Sequence, residues 1–360
     1  MRFLLDTEQR DFAASLDALL GAADTPAVIR ARAAGDPAPA RALWRRLGDA
    51  GVFALAVPEE YGGVGLLPVE LMVACVELGR HAVPGPVAES LAASVLLDRA
   101  GVAAPAARWL PRAASGEAAL TVPPLSLRHD PSPLRPSPPE PSPLRAAPAD
   151  GGYAADPDLA GTVLRVDGDT LAEAPSQGPL LCSLDPARLL GRPGDGTPLA
   201  TGPQVAAAAA EAAGVGALAT AALALGTGRR LLAGTVEYVG TRVQFGTPIG
   251  GFQAVKHRLA DVLLQLEFAE PLLHAAAVAL EDGRPGATAD VAAAKAACGE
   301  AGYAAARAAL QLHGAIGYTD EFDLSLWIRR ARVLRTAWGG PAECRRAVLA
   351  ARAGVLTGRT

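Results

Sequence analysis

The sequence predicts a mainly α-helical protein in three parts: an N-terminal helical domain over 1–115, a small, reduced β middle domain over 116–202, and a C-terminal helical bundle over 203–360. Three observations predict it. Apolar residues recur at three- and four-residue spacing through the first and last parts. A run of prolines interrupts the middle part, which then turns to short alternating segments. Half of the 360 residues are hydrophobic, enough for a large core shared by two or three packed units.

In the first part, Asp6 or Thr7 can cap a helix that places Phe12, Leu16, Leu19 and Leu20 on one face. A second helix is predicted over Ala40–Ala50, around Trp44 and Leu47. Pro58-Glu59-Glu60-Tyr61-Gly62-Gly63 reads as a turn-rich break, and further helices fit Pro68–Leu78 and Pro86–Ala100. In the middle part, Pro131–Pro143 holds seven prolines and repeats Pro-Ser-Pro-Leu-Arg, so it is expected to be extended. Leu159–Val166 and Pro179–Leu184 read as short strands, with Asp167-Gly168-Asp169 as a turn. In the last part, helices are predicted over 203–241, 251–281, 287–313 and 321–353. Their many alanines allow close helix approach.

Composition excludes several function classes. The chain carries 33 Lys and Arg against 37 Asp and Glu, a net charge of -4, with no basic stripe for nucleic acid. Cys75, Cys182, Cys298 and Cys344 lie at neither metal-ligand nor disulfide spacing, so no metal is expected. The start, Met1-Arg2-Phe3-Leu4-Leu5-Asp6, is not a signal peptide, and the Ala-rich stretch at 205–225 is broken by Glu211 and glycines. The expectation is a cytoplasmic protein without a membrane span.

Two blocks carry candidate chemistry. The first is Arg242-Val243-Gln244-Phe245-Gly246-Thr247-Pro248-Ile249-Gly250-Gly251-Phe252-Gln253, between two helices. An arginine fork beside the free amides of a helix start suits a pyrophosphate. Phe245 offers a ring face and Gln253 a hydrogen-bonding edge. An ordinary helix C-cap and turn would use the same residues. The second block is Gln311-Leu312-His313-Gly314-Ala315-Ile316-Gly317-Tyr318, where small residues would let a flat ligand lie against backbone. A C-cap reading is open here too, with His313 as a helix-end histidine.

Taken together, in this order and separation, the two blocks resemble the acyl-CoA dehydrogenase family. Gly51–Gly65, Glu77-Leu78-Gly79-Arg80 and Phe252–Asp261 resemble it as well. The resemblance covers about 1–110 and 205–345 and is weak over 116–202. It implies an N-terminal helical domain, a middle β-domain and a C-terminal four-helix bundle, with FAD between the last two and its adenine end reaching a neighbouring subunit. By resemblance, Arg242 contacts the FAD pyrophosphate, Gln244, Phe245 and Gln253 lie near the nucleotide, and Gln311, Gly314 and Ala315 belong to a flavin site completed across the interface.

The implied activity is α,β-dehydrogenation of an acyl-CoA thioester, a reaction of lipid metabolism whose electrons pass on to an electron-transfer acceptor. A carboxylate takes the α-proton while the β-hydride goes to flavin. The catalytic base is not identifiable. The two places where family members carry the glutamate fall on Trp338 and Gly216, and Glu211 and Glu343 are out of register. The family's flavin-ring segment, typically Glu-Pro-x-x-Gly-Ser, is also missing, with Thr121 as its remnant. Gly317–Leu324 followed by Arg329-Arg330-Ala331 most resembles bacterial subunits of heteromeric α2β2 acyl-CoA dehydrogenases, which often act on bulky CoA esters such as steroid side chains. The expectation is therefore a base-lacking, flavin-sharing subunit that is oligomeric through its C-terminal helices, either with a homologous subunit as a heterotetramer or as a homo-oligomer. The alternatives are a flavin-free structural homologue or a flavin oxidase acting on a carrier-bound acyl intermediate.

Overall fold

The computed structural model describes residues 4–127 and 152–356; the proline run at 131–143 lies outside them. Eleven α-helices among the described residues carry most of the chain, with short strands between α6 and α7.

Helix α1 (Thr7–Gly21) starts at a capping box in which Asp6 accepts from the Gln9 amide and Gln9 accepts from the Asp6 amide. Helix α2 (Thr25–Ala33) is not legible in the sequence. Its run Thr-Pro-Ala-Val-Ile-Arg-Ala-Arg-Ala has weak periodicity, and Arg32 faces inward. Helices α3 (Ala38–Asp49), α4 (Pro68–Arg80), α5 (Val87–Arg99) and α6 (Ala103–Ala114) follow. Between α3 and α4, strands β1 (Ala56–Val57) and β2 (Gly65–Leu66) form a small hairpin around the Pro58–Gly63 break.

The β region holds more strands than the two expected. One sheet has the order β3 (Ala119–Thr121), β5 (Ala160–Asp167), β6 (Thr170–Glu173) and β9 (Thr197–Thr201). The other runs β4 (Ala154–Ala155), β8 (Leu189–Pro193) and β7 (Ser176–Cys182). Strand β6 has only four residues, and the five-residue β8 and β9 are interrupted by Gly191, Pro193 and Pro198, so none shows a clear period of two and all escape a reading by alternation.

Helices α7 (Pro203–Thr241), α8 (Gln253–Glu281), α9 (Ala287–His313), α10 (Leu324–Leu334) and α11 (Pro341–Leu356) complete the chain. The single helical region expected at 321–353 is two helices, because Ala337-Trp338-Gly339-Gly340 breaks it. The stretch α7–α8 is joined by a hairpin, β10 (Val243–Gln244) and β11 (Thr247–Pro248). Helices α7 and α8 are long and apolar enough to cross a membrane, with mean hydropathy 1.6 and 1.3. In α7, however, 83% of the most apolar window is buried against the protein's own helices.

Helix α7 runs through the middle of the molecule against α4, α5 and α9, and its small residues set the spacing. A Cβ on Gly226 would lie 1.9 Å from the Val76 carbonyl oxygen of α4, and one on Gly79 of α4 would lie 2.2 Å from the Leu223 carbonyl oxygen. Thr227 Oγ1 donates to the Gly79 carbonyl at 3.2 Å across the same crossing. Neither backbone can retreat without unpacking the core, so Gly226→Ala is expected to destabilise the protein by about 1–3 kcal/mol or more. Urea denaturation measures this, and an unchanged midpoint would show that the helices do not approach this closely.

Candidate functional site

Folding brings the two sequence blocks to one end of the bundle. Tyr238, one turn before the end of α7, stacks on His313 at the end of α9, with ring centroids 4.1 Å apart. Phe322 covers His313 from another side at 4.9 Å. His313 Nδ1 lies 2.8 Å from the Ala309 carbonyl, the partner of a protonated Nδ1, and burial pushes its pKa down. His313 is thus a packed, neutral histidine that holds the blocks together. The loop beyond it is fastened to α2, where Arg30 donates to the carbonyls of Asp320 and Glu321 and pairs with Asp323.

Around this anchor the candidate cofactor residues are all exposed. Arg242 caps α7 in extended conformation, and its carbonyl accepts from the Ile249 amide at 2.8 Å, closing the hairpin. Gln244 and Phe245 stand on that hairpin, where Phe245 and Gly246 turn with φ of 51° and 78°. The Phe245 ring is 94% exposed and meets only the edge of Phe252. Gln253 opens α8, whose first amides have no side-chain cap. Gln311 is exposed on the last turn of α9, Gly314 turns the chain at φ 65°, and Ala315 is exposed beside Ile316 and Tyr318. A free helix start beside an unpaired arginine suits a phosphate group. The arrangement is an open shelf, with no wall on its outer side among the described residues.

A flavin ring would need the middle domain, and there the fit fails within the described residues. Thr121 is fully buried, and its hydroxyl donates to the Ala155 carbonyl at 2.7 Å. The shelf fits the nucleotide end of FAD, while Thr121 has no hydroxyl free for the ring end.

Trp338 and Gly216, the two positions at which the resemblance expects a base, meet face to face. The Trp338 indole packs on Gly216, where a Cβ would lie 2.4 Å from its ring carbons. Trp338 is 1% exposed, and its Nε1 donates to Glu89 of α5 at 3.1 Å. Neither weak candidate reaches this contact. Glu211 is about 7.5 Å and roughly 140° away from Gly216 on the same helix. It is half exposed and takes Arg99 Nε at 3.0 Å. Glu343 lies partly exposed in the first turn of α11.

Residues that sequence reasoning missed surround the indole. Glu89 also pairs with Arg188, in the turn between β7 and β8. Burial lowers the Arg188 pKa and the carboxylates of Glu89, Asp156 and Asp185 outweigh it, so the guanidinium stays charged. Arg32 pairs with Asp156 at 2.6 Å and with Asp158 at 2.8 Å. Burial pushes Asp156 up to about 6, still ionised at neutral pH beside Arg32. Arg330 of α10 donates to the Ala82 and Val83 carbonyls and lies 3.7 Å from Asp185. The one sequence signal was Glu89, a carboxylate in the otherwise small and apolar run Pro86–Leu97. A separate trio, Asp17, Glu77 and His81, places possible metal ligands within 4.8 Å of one another. Arg80 already donates to Glu77 at 2.8 Å there, which makes the trio an ion-pair clasp between α1 and α4.

Lys295 of α9, only 1% exposed, holds the loop that carries Trp338. Its Nζ donates to the carbonyls of Leu334, Arg335 and Gly339 at 3.0, 3.3 and 3.0 Å. Burial lowers its pKa from 10.5 to about 8. Between these values the unfolded chain holds a proton that the folded chain does not, so stability rises with pH across that window. The stability difference between wild type and Lys295→Met should therefore shift in favour of wild type by about 2 kcal/mol between roughly pH 7.5 and pH 9.5. Urea melts of both proteins measure it; a pH-independent difference would mean that Lys295 titrates normally.

The comparisons with known proteins agree with one another. The acyl-CoA dehydrogenase N-terminal domain matches residues 6–117 and the acyl-CoA dehydrogenase C-terminal domain matches residues 206–354. Acyl-CoA dehydrogenase IpdE2 of Mycobacterium tuberculosis is 32% identical over 310 residues, which cover 85% of this chain and 85% of that protein. The solved Tcur3481-Tcur3483 steroid ACAD superimposes with a TM-score of 0.79 at 25% identity, covering 97% of this chain and 99% of that one. Butyryl-CoA dehydrogenase of Megasphaera elsdenii shares the fold, with a TM-score of 0.78 at 20% identity over 98% and 100% of the two chains.

Proposed function

Because the chain belongs to the acyl-CoA dehydrogenase family, an oxidoreductase family, we propose that it is the base-lacking, flavin-sharing subunit of a heteromeric FAD-dependent acyl-CoA dehydrogenase. The single observation that carries this reading is the packing of Trp338 on Gly216. A general base must come within hydrogen-bond reach of the proton it takes. At neither position can the side chain accept a proton, and the ring fills the space where a carboxylate would work.

The open shelf supports the flavin-sharing half of the reading. Arg242 and the start of α8 would hold the pyrophosphate, with Phe245, Gln244 and Gln253 along the nucleotide. Gln311, Gly314 and Ala315 would face the flavin of a neighbouring chain. FAD would supply the hydride acceptor, and this chain's contribution is charge, ring faces and backbone amides. A homologous subunit would supply the carboxylate and the outer wall.

The surface of the bundle suits such an assembly. Leu264, Phe268 and Leu272 form an exposed apolar stripe along α8. Much of the Ala-rich surface of α9 is used inside the bundle, where Ala301, Ala305, Ala308 and Ala309 are buried. Ala293, Ala296 and Ala297 instead line an apolar groove with Val348 and Leu349 of α11. The likeness to the Tcur3481-Tcur3483 steroid ACAD favours a bulky CoA ester as substrate, with an electron-transfer acceptor taking the electrons.

Two measurements test the reading. The chain purified alone and supplied with FAD should not oxidise acyl-CoA esters in the presence of an artificial electron acceptor, whereas the complex with its homologous partner should. Robust turnover by the lone chain, abolished by Glu211→Gln or Glu343→Gln, would overturn the proposal. In the complex, Arg242→Ala should weaken FAD retention by about 1.5–3 kcal/mol through loss of a charge-assisted contact. An unchanged dissociation constant for FAD, followed by absorbance near 450 nm, would remove Arg242 from the site.

A further inference from the structure

The contact between Trp338 and Gly216 is locked from three sides. One carboxylate oxygen, Glu89 Oε1, takes both the indole N–H and the Arg188 guanidinium. Glu89 is 2% exposed and stands on α5, Arg188 belongs to the β region, and Trp338 lies between α10 and α11. Separating the indole from Glu89 leaves an N–H donor buried without a partner, which is costly in a low-dielectric interior. Behind Arg188 stand Asp156 and Asp185, tied in turn to Arg32 and Arg330.

The backbone is held as firmly as the ring. Trp338 sits in the left-handed region at φ 53°, an uncommon conformation for a bulky residue, and Gly339 follows at φ 110°. Lys295 binds the Leu334 carbonyl at the end of α10 and the Arg335 and Gly339 carbonyls beyond it, and Cys344 lies against Gly339. Shifting the backbone that carries the indole would strain these bonds together. Strain held in place by several independent contacts marks a position whose geometry is over-determined.

We infer that Trp338, locked by Glu89 and Arg188, is a built-in stopper whose indole fills the space over Gly216 and keeps acyl-CoA thioesters out of it. Glu89 and Arg188 are positioning residues that act through the indole. The inference rests on the subunit reading above and goes further. A chain that merely lacked the base would still bind thioester and hold it unproductively. A chain with a stopper leaves the thioester to the partner's site.

The test is calorimetric binding of non-oxidisable 3-thia acyl-CoA analogues, one short and one ring-bearing, to the full-length chain. Wild type should show no binding up to millimolar concentration. Trp338→Ala should gain at least tenfold in affinity. Trp338→Phe, with a smaller ring and no N–H for Glu89, should gain by a smaller factor and decides the matter if the alanine variant does not fold. Glu89→Ala should open the site, and Glu89→Gln, which can still accept from the indole, should leave it shut. Micromolar binding of one analogue per wild-type chain would overturn the stopper, as would folded Trp338 variants that gain nothing. Equal behaviour of Glu89→Ala and Glu89→Gln would overturn the positioning role. Binding by wild type without turnover would leave the subunit reading standing, whereas turnover by the lone chain would remove both.

Discussion

Close backbone approach along α7 is the constraint on which the rest of the molecule depends. A helix of 39 residues passes between α4, α5 and α9, and at Gly226 and Gly79 there is no room for even a methyl group. Alanine and glycine over 212–228 let three neighbouring helices sit close enough to bury nearly every side chain on that stretch. Gly216 belongs to the same run. The smallness that allows the helices to cross also leaves a flat spot, and the Trp338 ring occupies it.

A second constraint is electrostatic. The β region meets the helices through Arg32, Glu89, Asp156, Asp185, Arg188 and Arg330, all buried or nearly so. Such groups are expensive to desolvate, and each is matched by an opposite charge or a backbone carbonyl. Removing one partner would strand another. The network therefore links the three parts of the chain through buried ion pairs. Trp338 is attached to it through Glu89, so the indole is tied to residues of all three parts.

The two ends of the candidate site differ in how much a sequence can show. The shelf is built from consecutive residues at helix ends. Arg242–Gln253 and Gln311–Tyr318 advertise themselves by glycine, proline and a lone arginine, which is why they are visible one residue at a time. The buried contact around the indole is assembled from positions 89, 188, 216 and 338, far apart along the chain, and no local pattern links them. Glu89 offered a hint, a carboxylate inside an apolar helix. Arg188, in a turn between two short strands, offered none. Strands of two to five residues, β8 and β9 with Gly or Pro inside them, likewise hid most of the β region, and α2 was hidden because its inward face includes an arginine.

The amino-acid sequence by itself determined the helical periodicity of the first and last parts, the helix ends that form the shelf, and the absence of a carboxylate at positions 216 and 338. These are local properties, set by spacing, capping residues and side-chain identity. Only the tertiary structure decided what happens where the carboxylate is missing. It laid an indole on a glycine, turned a buried glutamate to meet it, and bound the loop with a lysine from another helix. Such contacts depend on which backbones come within a few ångströms of each other, and that follows from packing the whole chain.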